Sequence, residues 1–153
     1  MNIRPWRPGD QALLVAAQRE LSPASLSSRF FVGTSTLPVK YLRYVAHAPR
    51  DRWDAQVATQ RGRLLGWAEF ARTPAAPHEA DLAVLVIDAW QRRGVASALI
   101  ATMLPRVVAA GVRVVHADID PGNAAARAMV RSVFGDTLTA TYQDGLLHYK
   151  MAL

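Results

Sequence analysis

The hydrophobic and polar positions of this chain follow two different periods. In the first third, apolar residues recur mostly three or four positions apart, which is typical of amphipathic helices. Further along, alternating or continuous apolar segments rich in Val, Leu and Ile indicate strands. The pattern predicts helices over 10–20, 23–29, 38–47, 93–110 and 124–133. It predicts strands over 2–6, 54–59, 64–72, 80–87, 112–119, 138–142 and 146–151.

Turn-forming residues support these boundaries. Ser22, directly before a proline, suits the start of a helix, and Gly111 suits a helix C-terminus. Residues 143–145, Gln-Asp-Gly, predict a hairpin between the last two strands. Gly66 inside a strand indicates a bulge or a close backbone approach, and Pro5 suits a strand at the edge of a sheet.

The order of elements is one strand, three helices, three strands, a helix, a strand, a helix and two strands. A chain of 153 residues can bury a sizeable core, and it contains no internal repeat or linker-like segment. We therefore expect a single domain over residues 1–153. Its fold class is α/β (α+β), with a mixed, mostly antiparallel central sheet and helices on both faces.

The stretch from Asp81 to Ile100 suggests a binding site. An apolar strand over 82–87 leads into a short turn that contains Gly94, and a helix follows at once. The first N–H groups of a helix lack partners within it, and the helix dipole makes that end positive. With two arginines beside these donors, at Arg92 and Arg93, the turn is expected to bind an anion.

The turn sequence Gln91-Arg92-Arg93-Gly94-Val95-Ala96 resembles the Q/R-x-x-G-x-G/A signature of the GNAT superfamily of acyl-CoA-dependent N-acyltransferases. The resemblance extends over most of the chain, and the element order is also similar. It implies that the turn binds the pyrophosphate of acetyl-CoA, which is the co-substrate. It further implies that the pantetheine lies along the preceding strand, which separates from the strand over 115–119. The implied contacts to acetyl-CoA are Val84, Leu85, Val86, Gln91, Arg92, Arg93, Gly94, Val95, Ala96, Ser97 and Asn123.

A narrower resemblance points to the acceptor. Residues 22–31, SPASLSSRFF, and residues 80–86, ADLAVLV, resemble bacterial protein-lysine acetyltransferases of the Pat type. In those enzymes an acidic residue, usually Glu, stands where Asp81 stands and acts as general base. The resemblance implies an N-acetyltransferase that acts on a primary amine, with a protein lysine as the acceptor.

The chemistry of such a transfer also requires a proton acceptor, and a carboxylate can serve as one. An amine attacks a thioester only in its neutral form, whereas lysine, with a pKa of about 10.4, is mostly charged near neutrality. A nearby carboxylate can accept the proton, directly or through water. Asp81 is the first candidate. Glu79 and Glu69 are alternatives that we expect to face solvent.

Two departures from the family pattern leave a second reading open. Many GNAT enzymes have a general-acid Tyr seven residues after the Asn, and that position here is Val130. The usual Gly-Phe after this helix reads Phe134-Gly135. Tyr142 and Tyr149 are possible substitutes. The alternative is a non-catalytic or regulatory GNAT-like module that binds acyl-CoA and acts through protein contacts. Acetylation of a small amine is a weaker option.

Composition and charge narrow the possible binding partners and the expected location of the protein. The formal net charge of +6 comes from arginines spread along the chain, which favours a solvated surface over a nucleic-acid site. No apolar run is long enough to span a membrane, and the N-terminus lacks the apolar region of a signal peptide. The chain has no cysteine, and its four histidines lack metal-ligand spacing. We expect a cytoplasmic protein without a metal, either a monomer or a homodimer.

Overall fold

The computed structural model describes residues 1–153 and contains seven strands and five α-helices. The strands are β1 (Asn2–Pro5), β2 (Trp53–Gln60), β3 (Arg63–Thr73), β4 (Ala76–Val86), β5 (Val114–Ile119), β6 (Leu138–Gln143) and β7 (Leu146–Ala152). The helices are α1 (Gln11–Ala17), α2 (Pro23–Phe30), α3 (Val39–His47), α4 (Val95–Ala109) and α5 (Ala124–Phe134).

All seven strands form one sheet in the order β1-β2-β3-β4-β5-β7-β6. Only the β4–β5 pair is parallel, because α4 carries the chain from the end of β4 back to the start of β5. The other neighbours are antiparallel. This arrangement confirms the predicted mixed, mostly antiparallel sheet and places β1 at an edge.

Helices cover both faces of the sheet, as predicted. One core joins α4 and α5 to the sheet, with Leu99 and Met103 fully buried in it. The other joins the α1–α3 region to the opposite face. Alternation along β4 supplies both cores, since Leu82 belongs to the first and Leu85 to the second. Truncation of a fully buried Leu or Met to Ala costs about 2–5 kcal/mol, so these two layers fix the position of β4.

Several predicted boundaries are wrong by a few residues. β4 begins at Ala76 rather than residue 80, and only Pro74-Ala75 separates it from β3. The predicted connection over 73–79 is therefore a short turn, because backbone pairing with β3 extends the strand beyond its apolar stretch. α4 begins at Val95 rather than residue 93, since Gly94 is left-handed. α4 continues through Pro105 without a break.

The predicted close approach at Gly66 is confirmed. A Cβ built there would lie 2.8 Å from the carbonyl oxygen of Leu85, so the position requires glycine. The β2–β3 register shifts beside it, between Ala58 and Thr59. Gly66 lets β3 lie tightly against the end of β4, next to the turn that precedes α4.

Candidate active site

A cleft opens between β4 and β5 in the middle of the sheet. The two strands pair over only a few residues, ending at the pair Asp81–His116. β4 then runs on to Val86 and β5 to Ile119 without pairing to each other. The cavity between them measures about 770 Å³ and is also bordered by α2 and by the first turns of α4 and α5. The β4 backbone over 82–86 therefore has no strand partner on the cleft side.

The turn between β4 and α4 presents free backbone donors to this cleft. Arg92 and Gly94 are left-handed, with φ of 61° and 83°. No backbone N–H over 92–97 donates to a protein acceptor, and the first bond of the helix runs from Ala98 N to Gly94 O at 3.0 Å. Together with the positive end of the α4 dipole, these donors form a site for an anion.

The side chain of Gln91 fixes the shape of this turn. Its Nε2 donates to the carbonyl oxygen of Val86 and to Ser25 Oγ, each at 3.0 Å. On the same turn, Asp88 accepts a hydrogen bond from Ser22 N at 3.1 Å. The turn is thus attached to β4 and to the start of α2. Gln91, expected from the sequence to contact the ligand, borders the cavity, and its amide also bonds to these protein groups.

The two arginines of the turn differ in position. Arg92 borders the cavity. The guanidinium of Arg93 lies over the ring of Trp90, 5.0 Å from its centroid. Neither forms a salt bridge, so both leave positive charge next to the free donors.

Asn123 stands on the far wall of the cleft, at the start of α5. Its Oδ1 accepts a hydrogen bond from Ala126 N at 3.2 Å, which caps the helix. Its side-chain NH₂ donates to no protein group and can turn to a ligand. The other expected contact residues that border the cavity are Val84, Leu85, Val86, Gly94, Val95, Ala96 and Ser97.

Asp81 lies where β4 and β5 separate, on the sheet face that α2 covers. No hydrogen bond or ion pair engages its carboxylate. The residue remains accessible from the open cleft, yet partial burial raises the pKa of Asp81. The imidazole of His116 acts in the opposite direction, and the Asp118 carboxylate raises the pKa further. A raised pKa makes this carboxylate a better proton acceptor.

Glu69 does not face solvent, and that expectation is wrong. It is buried on the same face as Asp81, where it forms a salt bridge with Arg29 and accepts a hydrogen bond from the Tyr41 hydroxyl. Trp67 Nε1 donates to the same hydroxyl at 2.9 Å. Burial, reinforced by the Glu69 charge, raises the pKa of Tyr41 well above its usual value, so the phenol stays protonated. These contacts fix α2 and α3 against β3.

Two imidazole–carboxylate pairs lie beside Asp81, and the sequence analysis missed both. His116 Nε2 is 3.0 Å from Glu79 Oε1, so Glu79 is half-buried rather than a free surface acid. His148 Nδ1 is hydrogen-bonded to Asp118. The available signal was the alternation of His116 and Asp118 on one face of β5. Only the pairing of β5 with β4 and β7 shows what that face meets.

The family model described as Acetyltransferase (GNAT) family matches residues 22–135, about three quarters of the chain. The chain belongs to the GNAT acetyltransferase family. Proteins of this family are acetyl-CoA-dependent N-acetyltransferases, and acetyl-CoA is accordingly the co-substrate of this chain. No curated protein sequence matches this chain.

Solved GNAT structures share the whole fold. The GNAT domain of S. lividans PAT superposes with a TM-score of 0.89 at 27% identity, covering 99% of this chain and 89% of that one. A ribosomal-protein-alanine N-acetyltransferase from Brucella melitensis gives 0.77 at 21% identity, with both chains fully covered. The protein yncA from Salmonella typhimurium, solved with acetyl-CoA, gives 0.76 at 19% identity, covering 99% and 92%. The Brucella melitensis and Salmonella typhimurium proteins are similar to this chain in fold only.

The cleft of this GNAT protein suits its co-substrate. A diphosphate needs several convergent donors, and the turn at 92–97 supplies unpaired N–H groups next to two free arginines. An extended pantetheine amide chain needs an unpaired strand edge, which β4 provides over 82–86. No side chain of the protein accepts a hydrogen bond from the N–H groups of this turn.

No tyrosine of this GNAT chain borders the cleft. Val130, at the position where many family members have Tyr, is buried against α4 and the sheet. Tyr149 is 2% exposed and belongs to the same core, while Tyr142 is 68% exposed on the last hairpin. Neither can act on a group in the cleft.

No group of three or more His, Asp or Glu side chains is arranged to hold a metal ion. None of the helices combines the length and the apolar character that crossing a membrane requires.

Proposed function

We propose that this protein transfers the acetyl group of acetyl-CoA to the side-chain amine of a protein lysine, by direct attack, with Asp81 as general base. The observation that carries the proposal is the position of Asp81. It is an unpaired carboxylate with a raised pKa at the point where the two central strands part, directly upstream of the free β4 backbone.

The other acids near the cleft are engaged by partners. Both oxygens of Glu69 are occupied, one by Arg29 and the other by Tyr41. Glu79 is bound to His116. A carboxylate held in this way has its lone pairs occupied and gains less from accepting a further proton. Asp81 is free of such contacts and is the base that we assign.

The other residues of the cleft have positioning roles in this proposal. The N–H groups at 92–97, with Arg92, hold the diphosphate, and the β4 backbone over 84–86 aligns the thioester arm. A β4 N–H near Leu85 donates to the carbonyl oxygen as negative charge develops there. Asp81 removes a proton from the lysine ammonium, so that the neutral nitrogen can attack. The thiolate, with a pKa near 8.5, departs without requiring an acid.

A protein lysine is the favoured acceptor because two features agree. The segment from Ser22 to Phe31 resembles the corresponding segment of Pat-type enzymes, and the whole chain superposes on the GNAT domain of S. lividans PAT. In this structure the segment forms α2, which borders the cleft on the side of Asp81. α2 would therefore form one wall of the acceptor site.

The second candidate is a module that binds acyl-CoA without catalysis. The burial of Val130 at the usual position of the acid tyrosine favours it. Under this alternative, the protein binds acetyl-CoA but transfers no acetyl group, and substitution of Asp81 changes nothing that can be measured in an acetylation assay.

Incubation of the protein with labelled acetyl-CoA and a peptide library tests both candidates. The library contains peptides with internal lysines, and matched peptides with only a free N-terminal amine. Mass spectrometry should locate the label on lysine Nζ. Asp81→Asn should lower turnover at least ~100-fold, the lower range for general-base catalysis, while acetyl-CoA still raises its melting temperature. Asp136→Asn, at an exposed acid outside the cleft, is the matched control.

The outcomes separate the candidates clearly. Label on N-terminal amines alone would refute a lysine acceptor. A wild-type protein that binds acetyl-CoA but labels no amine would support the non-catalytic module. Equal turnover in Asp81→Asn and wild type would show that another group is the base.

A further inference from the structure

A series of titratable groups leads away from Asp81 along one face of the sheet. His116 stands opposite Asp81 in the last pair of the β4–β5 ladder. Its Nε2 is 3.0 Å from Glu79. On the next strand, His148 is bonded to Asp118, and the rings of His116 and His148 are 5.5 Å apart. These groups connect the cleft to half-exposed positions at the sheet surface.

The Glu79 contact determines which nitrogen of His116 is free. An ionised carboxylate only accepts hydrogen bonds, so Nε2 of neutral His116 must carry the hydrogen and donate it to Glu79. Nδ1 then bears a lone pair. This nitrogen is fully buried and has no hydrogen-bond partner in the structure. His116 is therefore held as a proton acceptor by a carboxylate behind it, the arrangement in which an imidazole acts as a base.

The proposed reaction generates a proton that must leave the cleft. The lysine ammonium loses two protons as its nitrogen forms the C–N bond and becomes an amide. The C–S bond breaks with its electron pair on sulfur, and the resulting thiolate takes one proton. One proton per turnover remains, and it rests on Asp81 after the transfer. Asp81 must release it before the next lysine can be deprotonated.

We propose that His116, oriented by Glu79, takes this proton from Asp81 and passes it to solvent in each turnover. The Asp81 carboxylate is not hydrogen-bonded to the imidazole in this structure, so its side chain must turn towards Nδ1 for the transfer. The inference rests on the proposed role of Asp81. His116 acts through Asp81 and does not touch the substrate, so it is a positioning and relay residue. The imidazole pair continues the route outward, since His148 lies beside His116 and is 42% exposed.

Other charged groups on this face set the field around His116. Glu79 and Asp81 come from β4, Asp118 from β5 and His148 from β7. Lys150 on β7 is opposite His116 in the register, so strand alternation puts it on the same face. Three carboxylates and one ammonium group thus share this face of the sheet with the imidazole.

A titration of the Asp81 carboxyl tests the coupling without any acceptor. We expect the midpoint, followed by carbon-13 NMR of the intact protein, to move to higher pH in His116→Gln, because the positive imidazole no longer favours the carboxylate. Gln retains an N–H at the position of Nε2, so the bond to Glu79 is preserved. His47→Gln, at an exposed position on α3, should leave the midpoint unchanged. An unchanged midpoint in His116→Gln would overturn the inference.

Steady-state kinetics then test the relay. His116→Gln should lower kcat about tenfold, below the full effect of losing a general base, with the KM for acetyl-CoA unchanged. Imidazole added to the buffer should restore much of the lost rate, since a free base can replace a relay but not a structural contact. Glu79→Gln should lower kcat in the same direction, and His47→Gln should not.

Failure of the relay can be told apart from failure of the proposed function. A wild-type protein that acetylates no primary amine would refute the function itself. An active wild type, with His116→Gln equally active or insensitive to imidazole, would refute the relay alone.

Discussion

Replacement of Gly94 by alanine separates the backbone cost of the turn from its role in binding. Gly94 and Gly111 lie beyond opposite ends of α4, and both are left-handed, with φ of 83° and 87°. A Cβ built at either position meets no atom within 4 Å. The two substitutions therefore carry the same conformational strain, about 1–2 kcal/mol for an L-residue in this region, and neither adds a clash. Gly111→Ala is a matched control outside the cleft.

The expected changes in melting temperature follow from the size of the chain. For a domain of about 150 residues, a change of 1 kcal/mol shifts Tm by roughly 2–4 °C. Without ligand, both variants should melt roughly 2–8 °C below wild type. Acetyl-CoA at about 100 times its Kd adds about 2.7 kcal/mol to the native state, which corresponds to a rise of roughly 5–10 °C.

Thermal melting with and without acetyl-CoA distinguishes the two variants. Gly111→Ala should keep the full ligand-induced rise. Gly94→Ala should lose most of it, because its methyl group would occupy open space at the head of α4, where the free N–H groups meet an anion. Titration calorimetry gives the corresponding Kd. If Gly94→Ala melts with the same ligand-induced rise as Gly111→Ala, the turn does not bind the diphosphate and the reasoning fails.

Four further outcomes are expected. Asp81→Glu should retain activity, because the longer carboxylate is the usual residue in Pat-type enzymes; activity as low as in Asp81→Asn would count against a base at this position. Turnover should rise with pH as the Asp81 carboxyl ionises, with a midpoint above the ordinary Asp pKa of about 3.9, and a pH–rate profile without such a rise would contradict this. Because ionisation of a group with a raised pKa opposes folding above that pKa, Asp81→Asn should melt no lower than wild type at pH 8, as checked by calorimetry. Asp10→Asn should lower the free energy of unfolding by about 1.5–3 kcal/mol at pH 7, since Asp10 holds Arg4 through bonds of 2.7 and 3.0 Å. Burial alone would raise the pKa of Asp10, but the Arg4 bonds outweigh it and lower the pKa. The difference from Asp10→Asn is therefore present above about pH 4 and disappears as pH falls through the folded-state pKa, which denaturant melts at pH 7 and pH 3 would show.

The local pattern of the sequence was sufficient for the element order and for the turn with unpaired N–H groups before α4. Strand alternation, helix periodicity and the glycine before α4 are properties of neighbouring residues, so a single sequence displays them. The resemblance around Gly94 added the family, which the family model confirms. Asp81 could also be singled out, because it belongs to the strand that leads into the turn.

Tertiary structure alone decided which polar side chains meet. Arg29 and Glu69 are 40 residues apart in the chain, and Glu79 and His116 are 37 apart. Glu69 was expected in solvent because alternation gives the face of a side chain but not what covers that face. The packing of α2 and α3 buries it. Likewise, the proposed role of His116 depends on where the parallel β4–β5 ladder ends. The path of α4 between the two strands sets that end point, and the residues on either side of the histidine do not predict it.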